Sequence, residues 1–385
     1  MRFNNPHRKH GTVTTQVTCA VLFLLFSFIW LYCFQADVIA VAQHVFSDGR
    51  TQYNRLVGAC LITILLLLLQ QGVVNMVCLR RRTHALTYLP SMLVLALLSH
   101  VEPGISRNLT YNYWWWIIPL VLLLWGVGVW FARQIIPFDQ DKQPMGIFSR
   151  RVWINAFLMA CMMLGVAAVA NTHAVFHFRA HAEVALSQGN TQEALRVGKR
   201  SHESDVHLTM LRAYALAKDG ELGEHLFEYP IYGEGADLIP MPDSHSRFLL
   251  LSYDSIYALC GARPVGIRTT NRYLDLLEKD SLATPVVADY RLCALLIDRK
   301  IDAFARTIGR YYPINDQLPR HYREALTIYS HLRSQPVHIY RHSVMEEDWA
   351  DLQRLKEAYP NARQRKEKVA DRYFGSYWYY YFYVW

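Results

Sequence analysis

Residues 180–200 read AHAEVALSQGNTQEALRVGKR, and this stretch predicts a pair of short helices. Small and apolar residues recur at helical spacing before and after Gly189. Gly189 can adopt the left-handed conformation that ends a helix, and Thr191 is placed to cap the next helix. We therefore expect a helical hairpin in which Ala194 lies at the contact between the two helices.

Similar segments follow this hairpin along the chain. Gly220, Gly261 and Lys300 occupy the turn positions of LRAYALAKDGELGEHLF, SYDSIYALCGARPVGIRTTNRYL and RLCALLIDRKIDAFARTIGRYYP. The stretch PIYGEGADLIPMPDSH interrupts the series, and we interpret it as a surface loop. No alternating strand pattern is sustained before the C-terminus, so residues 173–373 are predicted to form an all-α domain of helical repeats.

The first hairpin resembles the tetratricopeptide repeat, whose small residue, glycine and acidic-Ala pair are matched by Ala185, Gly189, Glu193 and Ala194. The resemblance covers about 173–333 and implies an α-solenoid with a concave binding surface. The whole chain, with apolar spans, such repeats and an aromatic terminus, also resembles an uncharacterised family of multi-spanning Bacteroidetes membrane proteins. That second resemblance implies a bacterium of the Bacteroidetes as the source of the chain, and it implies no activity.

Residues 1–172 have a different composition. They contain five of the 32 acidic residues and 13 of the 40 Lys and Arg, and so carry the whole net charge of +8. Five stretches are apolar and long enough to cross about 30 Å of hydrocarbon, which takes roughly 20 helical residues. The sequence therefore predicts an N-terminal bundle of about five transmembrane helices, the first an uncleaved anchor. They lie at about 13–34, 56–79, 85–101, 114–136 and 152–172, and the third, which contains Pro90, is the weakest.

The predicted spans have no Asp, Glu, Lys or Arg deep inside them, which argues against an ion or proton pathway. Their remaining polar residues are expected to form interhelical hydrogen bonds. These residues are Gln70, Gln71, Asn75 and Asn155.

Basic residues of the predicted loops are unequally distributed between the two sides. Ten lie at the N-terminus and in the loops after the second and fourth spans, against Arg50, Arg55 and Arg107 in the other loops. The positive-inside rule then places the N-terminus in the cytoplasm and, after five crossings, the C-terminal part outside. We expect an integral inner-membrane protein with a periplasmic C-terminal domain.

Metal and disulfide candidates are few. His173, His177 and His181 share one helical face, but two turns separate the first from the last, so one ion cannot bind all three. We interpret this face as hydrated and keep the histidines as weak metal candidates. Cys260 and Cys293 lie outside the spans, where a disulfide is one hypothesis and two buried small side chains are the other.

The chain ends on YWYYYFYVW, residues 377–385, in which eight of nine residues are aromatic. These residue types favour an extended strand. The segment could pack on the helical domain, lie in the outer membrane interface, or be offered to a partner. Packing is preferred, because an exposed uncharged segment of this kind promotes aggregation. The partner-binding candidates are Tyr377, Trp378, Tyr383 and Trp385.

The sequence contains no catalytic or cofactor signature, with no P-loop, HExxH, G-x-S-x-G or CxxC. No cofactor and no nucleic-acid partner is expected. The leading interpretation is a membrane-anchored binding or scaffold module that presents helical repeats to a protein partner outside the cytoplasm. The alternative is a cell-envelope enzyme or an accessory of polysaccharide or lipid handling, with a site where the membrane and repeat domains meet. Candidates for that site are Asp37, His44, Asp48, Arg50 and Arg55.

Overall fold

A computed structural model describes residues 6–77, 79, 83–102, 104, 113–135 and 149–384. Within these residues the chain is all-α and contains no strand. It divides into two compact units, which we call unit 1 (Met1–His173) and unit 2 (Ala174–Trp385).

Unit 1 contains four segments that are long and apolar enough to cross a membrane, which indicates a membrane protein. The segments are Val13–Phe34, Arg55–Val77, Trp114–Gln134 and Arg150–Val169. The α-helices of unit 1 are α1 (Pro6–Ile29), α2 (Ala36–Ser47), α3 (Arg55–Val77), α4 (Leu89–Ser99), α5 (Trp114–Ile135) and α6 (Arg150–Val169). A π-helical turn, Trp30–Phe34, separates α1 from α2, so part of the loop predicted at 35–55 is helical.

The third predicted span, 85–101, is shorter than expected. Residues His84–Tyr88 form a 3-10 turn, and α4 adds only 11 residues of α-helix with a proline in its first turn. The segment His84–Ser99 therefore falls below the length of the other four. The prediction of five long spans is not confirmed; four are present among the described residues.

The ends of the helices in unit 1 meet at two opposite ends of the bundle. At one, which we call end A, the amide of Ala85 donates to Asn155 Oδ1 at 2.7 Å and Arg133 donates to Val77 O at 2.8 Å. At the other, end B, the amide of Asn171 donates to Ser99 O at 3.0 Å. The short segment therefore runs beside α6 from end A to end B.

The interior of unit 1 combines apolar side chains with neutral polar groups. Gln70 Nε2 donates to Thr87 Oγ1 at 3.1 Å, and Ser91 Oγ donates to Leu66 O at 2.8 Å. Together with the Asn155 contact, these bonds join α3, α4 and α6. The interhelical hydrogen bonds predicted for Gln70 and Asn155 are present.

Unit 2 is built from twelve α-helices within its described residues. The twelve are α7 (Ala174–Ser187), α8 (Thr191–Arg196), α9 (Val206–Asp219), α10 (Leu222–His225), α11 (Tyr253–Cys260), α12 (Thr270–Lys279), α13 (Pro285–Ile297), α14 (Ile301–Ile308), α15 (Arg320–Leu332), α16 (Ser343–Ala358), α17 (Ala362–Tyr373) and α18 (Tyr377–Tyr383).

The first hairpin, α7 and α8, forms where the sequence predicts it. Gly189 has a φ of +79°, and Ala194 is buried where α8 packs against α7 and α9. The cap differs from the prediction: Asn190 Oδ1 accepts from the amide of Glu193 at 3.0 Å, while the Thr191 hydroxyl donates to Asp219. Asn190 is the N-cap because it immediately precedes the first residue of α8.

Helices distant in the chain also pack together in unit 2. Helix α10 contacts α13 and α15, although α11 and α12 lie between them in sequence. A methyl group added to Gly223 would lie 2.6 Å from the ring of Tyr322. Because a solenoid joins each repeat only to its neighbours, the solenoid implied by the repeat resemblance is not confirmed.

The glycine-rich interruption of the repeats is only partly the surface loop predicted, because residues 232–234 are exposed whereas Gly235 and residues 237–241 are buried. Gly235 donates its amide to Asp298 Oδ1 at 2.8 Å, and a Cβ there would lie 2.4 Å from Ala294 O. Leu238 and Ile239 are buried in the core. A backbone this close to α13 requires glycine at position 235.

Candidate functional site

The aromatic C-terminus is a docked helix, which corrects the predicted strand. In α18, Ser376 Oγ caps the helix by accepting from the amide of Tyr379 at 3.2 Å. Gly375 makes the preceding turn with a φ of +84°. The segment is helical despite its strand propensity, because its rings lie at helical spacing and pack in the core of unit 2. The stabilisation from this burial outweighs a weak intrinsic preference for the strand.

Buried hydrogen bonds fix α18 to its neighbours. The hydroxyl of Tyr377 donates to Leu296 O at 3.2 Å, and that of Tyr380 donates to Ile297 O at 2.9 Å. The indole of Trp378 donates to Glu324 O at 2.8 Å. Tyr377 and Trp378 are therefore structural side chains of unit 2 and are not exposed to a partner.

A buried polar group at α15 holds the first residue of α18. The carboxylate of Glu324 accepts from the amide of Tyr377 at 2.6 Å, from His321 Nδ1 at 2.9 Å and from Arg320 Nε at 2.9 Å. His321 Nε2 accepts from the amide of Phe227 at 3.2 Å. Since Nε2 accepts, the ring carries its proton on Nδ1, and the two residues together connect α15 to both α18 and the segment after α10.

A cleft of about 540 Å³ opens beside α18, and we call it cleft 1. One wall comes from residues 374–376 and from Tyr379, Tyr380 and Val384, and the other from Phe227 and residues 229–233. Tyr232 is 50% exposed and Phe374 is 43% exposed, so both rings offer open surface beside the cleft. The site therefore has aromatic walls built around the C-terminal helix.

Positive charge surrounds cleft 1. Arg299, Lys366 and His202 line it, and no Asp or Glu is found among the described residues that do so. The guanidinium of Arg299 lies 5.3 Å from the ring centre of Tyr380, and His202 packs edge-on against Phe374 at 5.3 Å. Such a cleft favours an anion that also carries flat apolar surface.

A second cleft, of about 590 Å³, lies in the turn that follows α8, and we call it cleft 2. Its lining consists of Phe178, Gly198, Ser201 and the cations Arg196, Lys199 and Arg200. Lys199 Nζ also lies 5.7 Å from the ring centre of Tyr229, which lines cleft 1. Lys199 therefore belongs to the edge that the two clefts share.

The remaining sequence candidates are dispersed. Tyr383 is half-buried at the end of α18, and Trp385 lies outside the described residues. His181 Nε2 lies 3.3 Å from Glu193 Oε1. No group of three or more His, Cys, Asp and Glu in the described part of the chain could hold a metal ion. The weak metal candidates His173, His177 and His181 thus do not assemble a site.

The two cysteines of unit 2 are free thiols. Cys260 and Cys293 are both buried, and the disulfide considered for them is not formed in the structure. The sulfur of Cys293 instead lies 3.5 Å from the hydroxyl of Tyr322. Burial raises the pKa of Cys260 to about 12, so this thiol is a poor nucleophile.

Two buried carboxylates were not apparent from the sequence. Glu183 is fully buried beside Arg179 and accepts from the backbone amides of residues 249–251. Asp289 accepts from the hydroxyls of Tyr312 and Tyr322 at 2.7 and 2.8 Å, and burial raises its pKa. Neither carboxylate lines cleft 1 or cleft 2, so both are interpreted as structural.

The candidate site for the alternative function lies in and after α2. Arg55 Nε donates to Tyr32 O at 2.5 Å and its guanidinium lies 4.8 Å from the Tyr32 ring centre. Asp48 ends α2 in a left-handed conformation. The contacts of Arg55 connect the start of α3 to the turn after α1 at end B of unit 1.

Comparison with known proteins gives one match. Residues 267–384 match the model of a family of unknown function, DUF6057. No curated protein and no solved structure matches the chain. The match agrees with the resemblance to an uncharacterised family and gives no support to the tetratricopeptide resemblance. The matched residues include α18, Arg299 and Lys366. The opposite wall of cleft 1, formed by His202, Phe227 and residues 229–233, lies outside the match.

Proposed function

We propose that the chain is a membrane-anchored binding module, in which unit 1 is the anchor and unit 2 binds an extracytoplasmic molecule in cleft 1. The observation that carries the proposal is the lining of this cleft. Open aromatic rings and three basic side chains line it without a carboxylate among the described lining residues. Open rings beside basic side chains offer an anionic partner both apolar surface and electrostatic attraction.

The way α18 is held supports the same proposal. The hydrogen bonds to Leu296, Ile297 and Glu324 fix the wall that carries Tyr379 and Tyr380. A wall that is already ordered costs little entropy when a ligand binds. The aromatic terminus therefore acts as part of the binding surface and is not itself the ligand of another protein.

We further propose that end A of unit 1 faces the cytoplasm. Arg133 lies at this end, and α6 begins there with Arg150 and Arg151. End B contributes Arg50 and Arg55 among the described basic residues of the predicted outer loops. The positive-inside rule then favours a cytoplasmic N-terminus in an inner membrane.

Whether His84–Ser99 crosses the bilayer decides the side of unit 2. The 3-10 turn and α4 together rise about 26 Å, and the segment runs beside α6 from end A to end B. Counting it as a crossing gives five, so the chain leaves α6 on the side opposite to its N-terminus. This supports an extracytoplasmic, periplasmic position for unit 2.

Site-specific photocrosslinking in intact cells tests the proposal. A photoreactive phenylalanine analogue replaces Tyr232, which lines cleft 1, in the full chain. A matched variant carries it at Tyr253, which is 40% exposed and does not line the cleft. We expect a discrete crosslinked product from position 232 and none from position 253. Equal products at both positions, or none at 232, would contradict a binding role for the cleft.

A further inference from the structure

Clefts 1 and 2 are neighbouring parts of one surface. Ser201 lines cleft 2 and the next residue, His202, lines cleft 1. Lys199 lines cleft 2 and lies above Tyr229 of cleft 1. An occupant of both clefts would pass along this edge, so the surface suits an extended ligand better than a compact one.

The same chemistry repeats in both clefts. Each combines aromatic surface with basic side chains, Phe178 with Arg200 in cleft 2 and Phe374 with Lys366 in cleft 1. The described lining residues of both clefts include no Asp or Glu. Two neighbouring clefts that are each lined by a ring and a basic side chain match a ligand whose own units repeat, each with a flat face and a negative charge.

The carboxylate of Glu228, which lies beside Lys199, does not cancel this charge pattern. Glu228 lies 3.4 Å from Lys199 Nζ and 2.8 Å from His225 Nδ1. Burial alone would raise its pKa, but His225 and Lys199 together lower it, so Glu228 is ionised and already paired. Arg200, Lys366 and His202 are exposed and remain directed to the clefts.

We infer that clefts 1 and 2 form one binding site for an acidic polysaccharide, a chain of sugar rings that carry carboxylates. The inference rests on the proposed function and gives its ligand class. The C–H face of a pyranose ring packs on Tyr232 and Phe374, as apolar faces do on aromatic rings. The carboxylates bind Lys366 and Arg200, with charge-assisted hydrogen bonds. An acidic peptide lacks the repeated rigid rings, and a nucleic acid is not expected on the extracytoplasmic side.

Binding to the purified full chain in detergent tests this inference. The probes are an oligomer of galacturonic acid, a neutral maltodextrin of the same length, an oligoglutamate and an oligothymidylate. We expect the galacturonate oligomer to bind most tightly and its affinity to fall as salt is raised. Equal affinity for the neutral oligomer, or tighter binding of the peptide or the nucleotide, would overturn the assignment to acidic polysaccharide.

Surface variants locate the site. Lys366→Ser and Arg200→Ser should each weaken galacturonate binding by at least about fivefold, because each removes a charge-assisted contact. Lys368→Ser is the matched control, since Lys368 is exposed on the same helix but pairs with Asp371 at 3.0 Å and lies outside both clefts. Unchanged binding in both cleft variants would overturn the location.

The test separates the two proposals. If position 232 crosslinks in cells but the chain binds no galacturonate oligomer, the ligand class is wrong and the binding module stands. If position 232 gives no crosslink and the galacturonate oligomer does not bind, both proposals fail. Circular dichroism of each variant verifies folding, which these exposed positions should not alter.

Discussion

The buried polar groups of unit 1 are mostly amides and hydroxyls, whereas the interior of unit 2 also contains carboxylates. Gln70, Ser91 and Asn155 join the helices of unit 1 through neutral hydrogen bonds. In unit 2 the buried groups include the carboxylates of Glu183 and Glu324. The surfaces also differ, since most of the exposed large hydrophobic side chains of the described residues, such as Met76 and Leu123, lie in unit 1.

This difference follows from the surroundings of each unit. A bundle in hydrocarbon needs no charge in its interior and gains nothing by hiding apolar side chains from lipid. A domain in water buries its apolar side chains, and it can bury a charge only with a full set of partners. Unit 2 is therefore where charged groups can be placed for binding, and the clefts are located there.

Glu324→Ala should have the largest effect on unit 2. The change leaves His321 and the amide of Tyr377 buried without their acceptor, which costs about 3–5 kcal/mol. Hydrogen exchange of residues 377–383, measured by mass spectrometry on the full chain, should accelerate by about a hundredfold or more. The control is Glu367→Gln, an exposed partner of Arg363. Unchanged exchange in Glu324→Ala would mean that Glu324 does not hold α18.

Ala194→Glu tests the first hairpin. Ala194 is 2% exposed between α7, α8 and α9, so a carboxylate there has no room and no partner. We expect a loss of about 3 kcal/mol in the free energy of unfolding. Thermal unfolding of the full chain checks it beside Gln192→Glu, an exposed site on the same helix. Equal midpoints for the two variants would show that the packing of α8 is wrong.

Two glycine substitutions, one in each unit, should change the free energy of unfolding in opposite directions. Gly375→Ala forces a Cβ into a residue with a φ of +84° and into contact with Glu228, and should cost about 1–2 kcal/mol. Gly72→Ala lies inside α3 with open space around it and should gain about 0.5–1 kcal/mol. Thermal midpoints of the two variants should move in opposite directions. A rise for Gly375→Ala would contradict the left-handed turn before α18.

Replacement of Lys356 by Met should have the smallest effect on the stability of unit 2. Its Nζ lies 3.3 Å from the ring centre of Phe382, and burial, with the charge of Arg365, lowers its pKa to about 8. Between pH 8 and the ordinary Lys pKa of about 10.4, the unfolded chain binds more protons than the folded one, so stability rises with pH. The stability of the parent relative to Lys356→Met should therefore increase between pH 7 and about 9.5. Denaturant titrations check this, and a constant difference would show that Lys356 titrates normally.

Local patterns in the sequence predicted much of the helical structure. The Gly189 turn, the buried Ala194 and the apolar spans depend on neighbours along the chain, and the structure contains them. The strand expected at 377–385 was wrong, because burial against distant helices decides the conformation of α18. The sequence showed Pro90 in the third span, but it did not predict how many residues of that span are α-helical.

The cleft was harder to predict than the helices. Its two walls come from residues 202–233 and 299–384, and nothing in either stretch indicates that they meet. The role of Glu324 could not be predicted either. His321 lies on the same helix as Glu324, but Tyr377 lies on α18, far away in the sequence. A sequence pattern predicts the helix in which it occurs, whereas contacts between helices depend on the packing of α10, α15 and α18.

Labelling of single introduced cysteines with a membrane-impermeant maleimide tests most directly whether the cleft lies outside the cytoplasm. Lys366→Cys reports on cleft 1 and Arg150→Cys on end A of unit 1, in spheroplasts of an expressing bacterium. Cys33, Cys60 and Cys161 of unit 1 are exposed free thiols, so the native cysteines of unit 1 are first replaced by alanine. The native thiols of unit 2, Cys260 and Cys293, are buried and should stay unlabelled. We predict that Lys366→Cys is labelled in intact spheroplasts and that Arg150→Cys is labelled only after permeabilisation. Labelling of Arg150→Cys in intact spheroplasts, with Lys366→Cys protected until permeabilisation, would contradict the account.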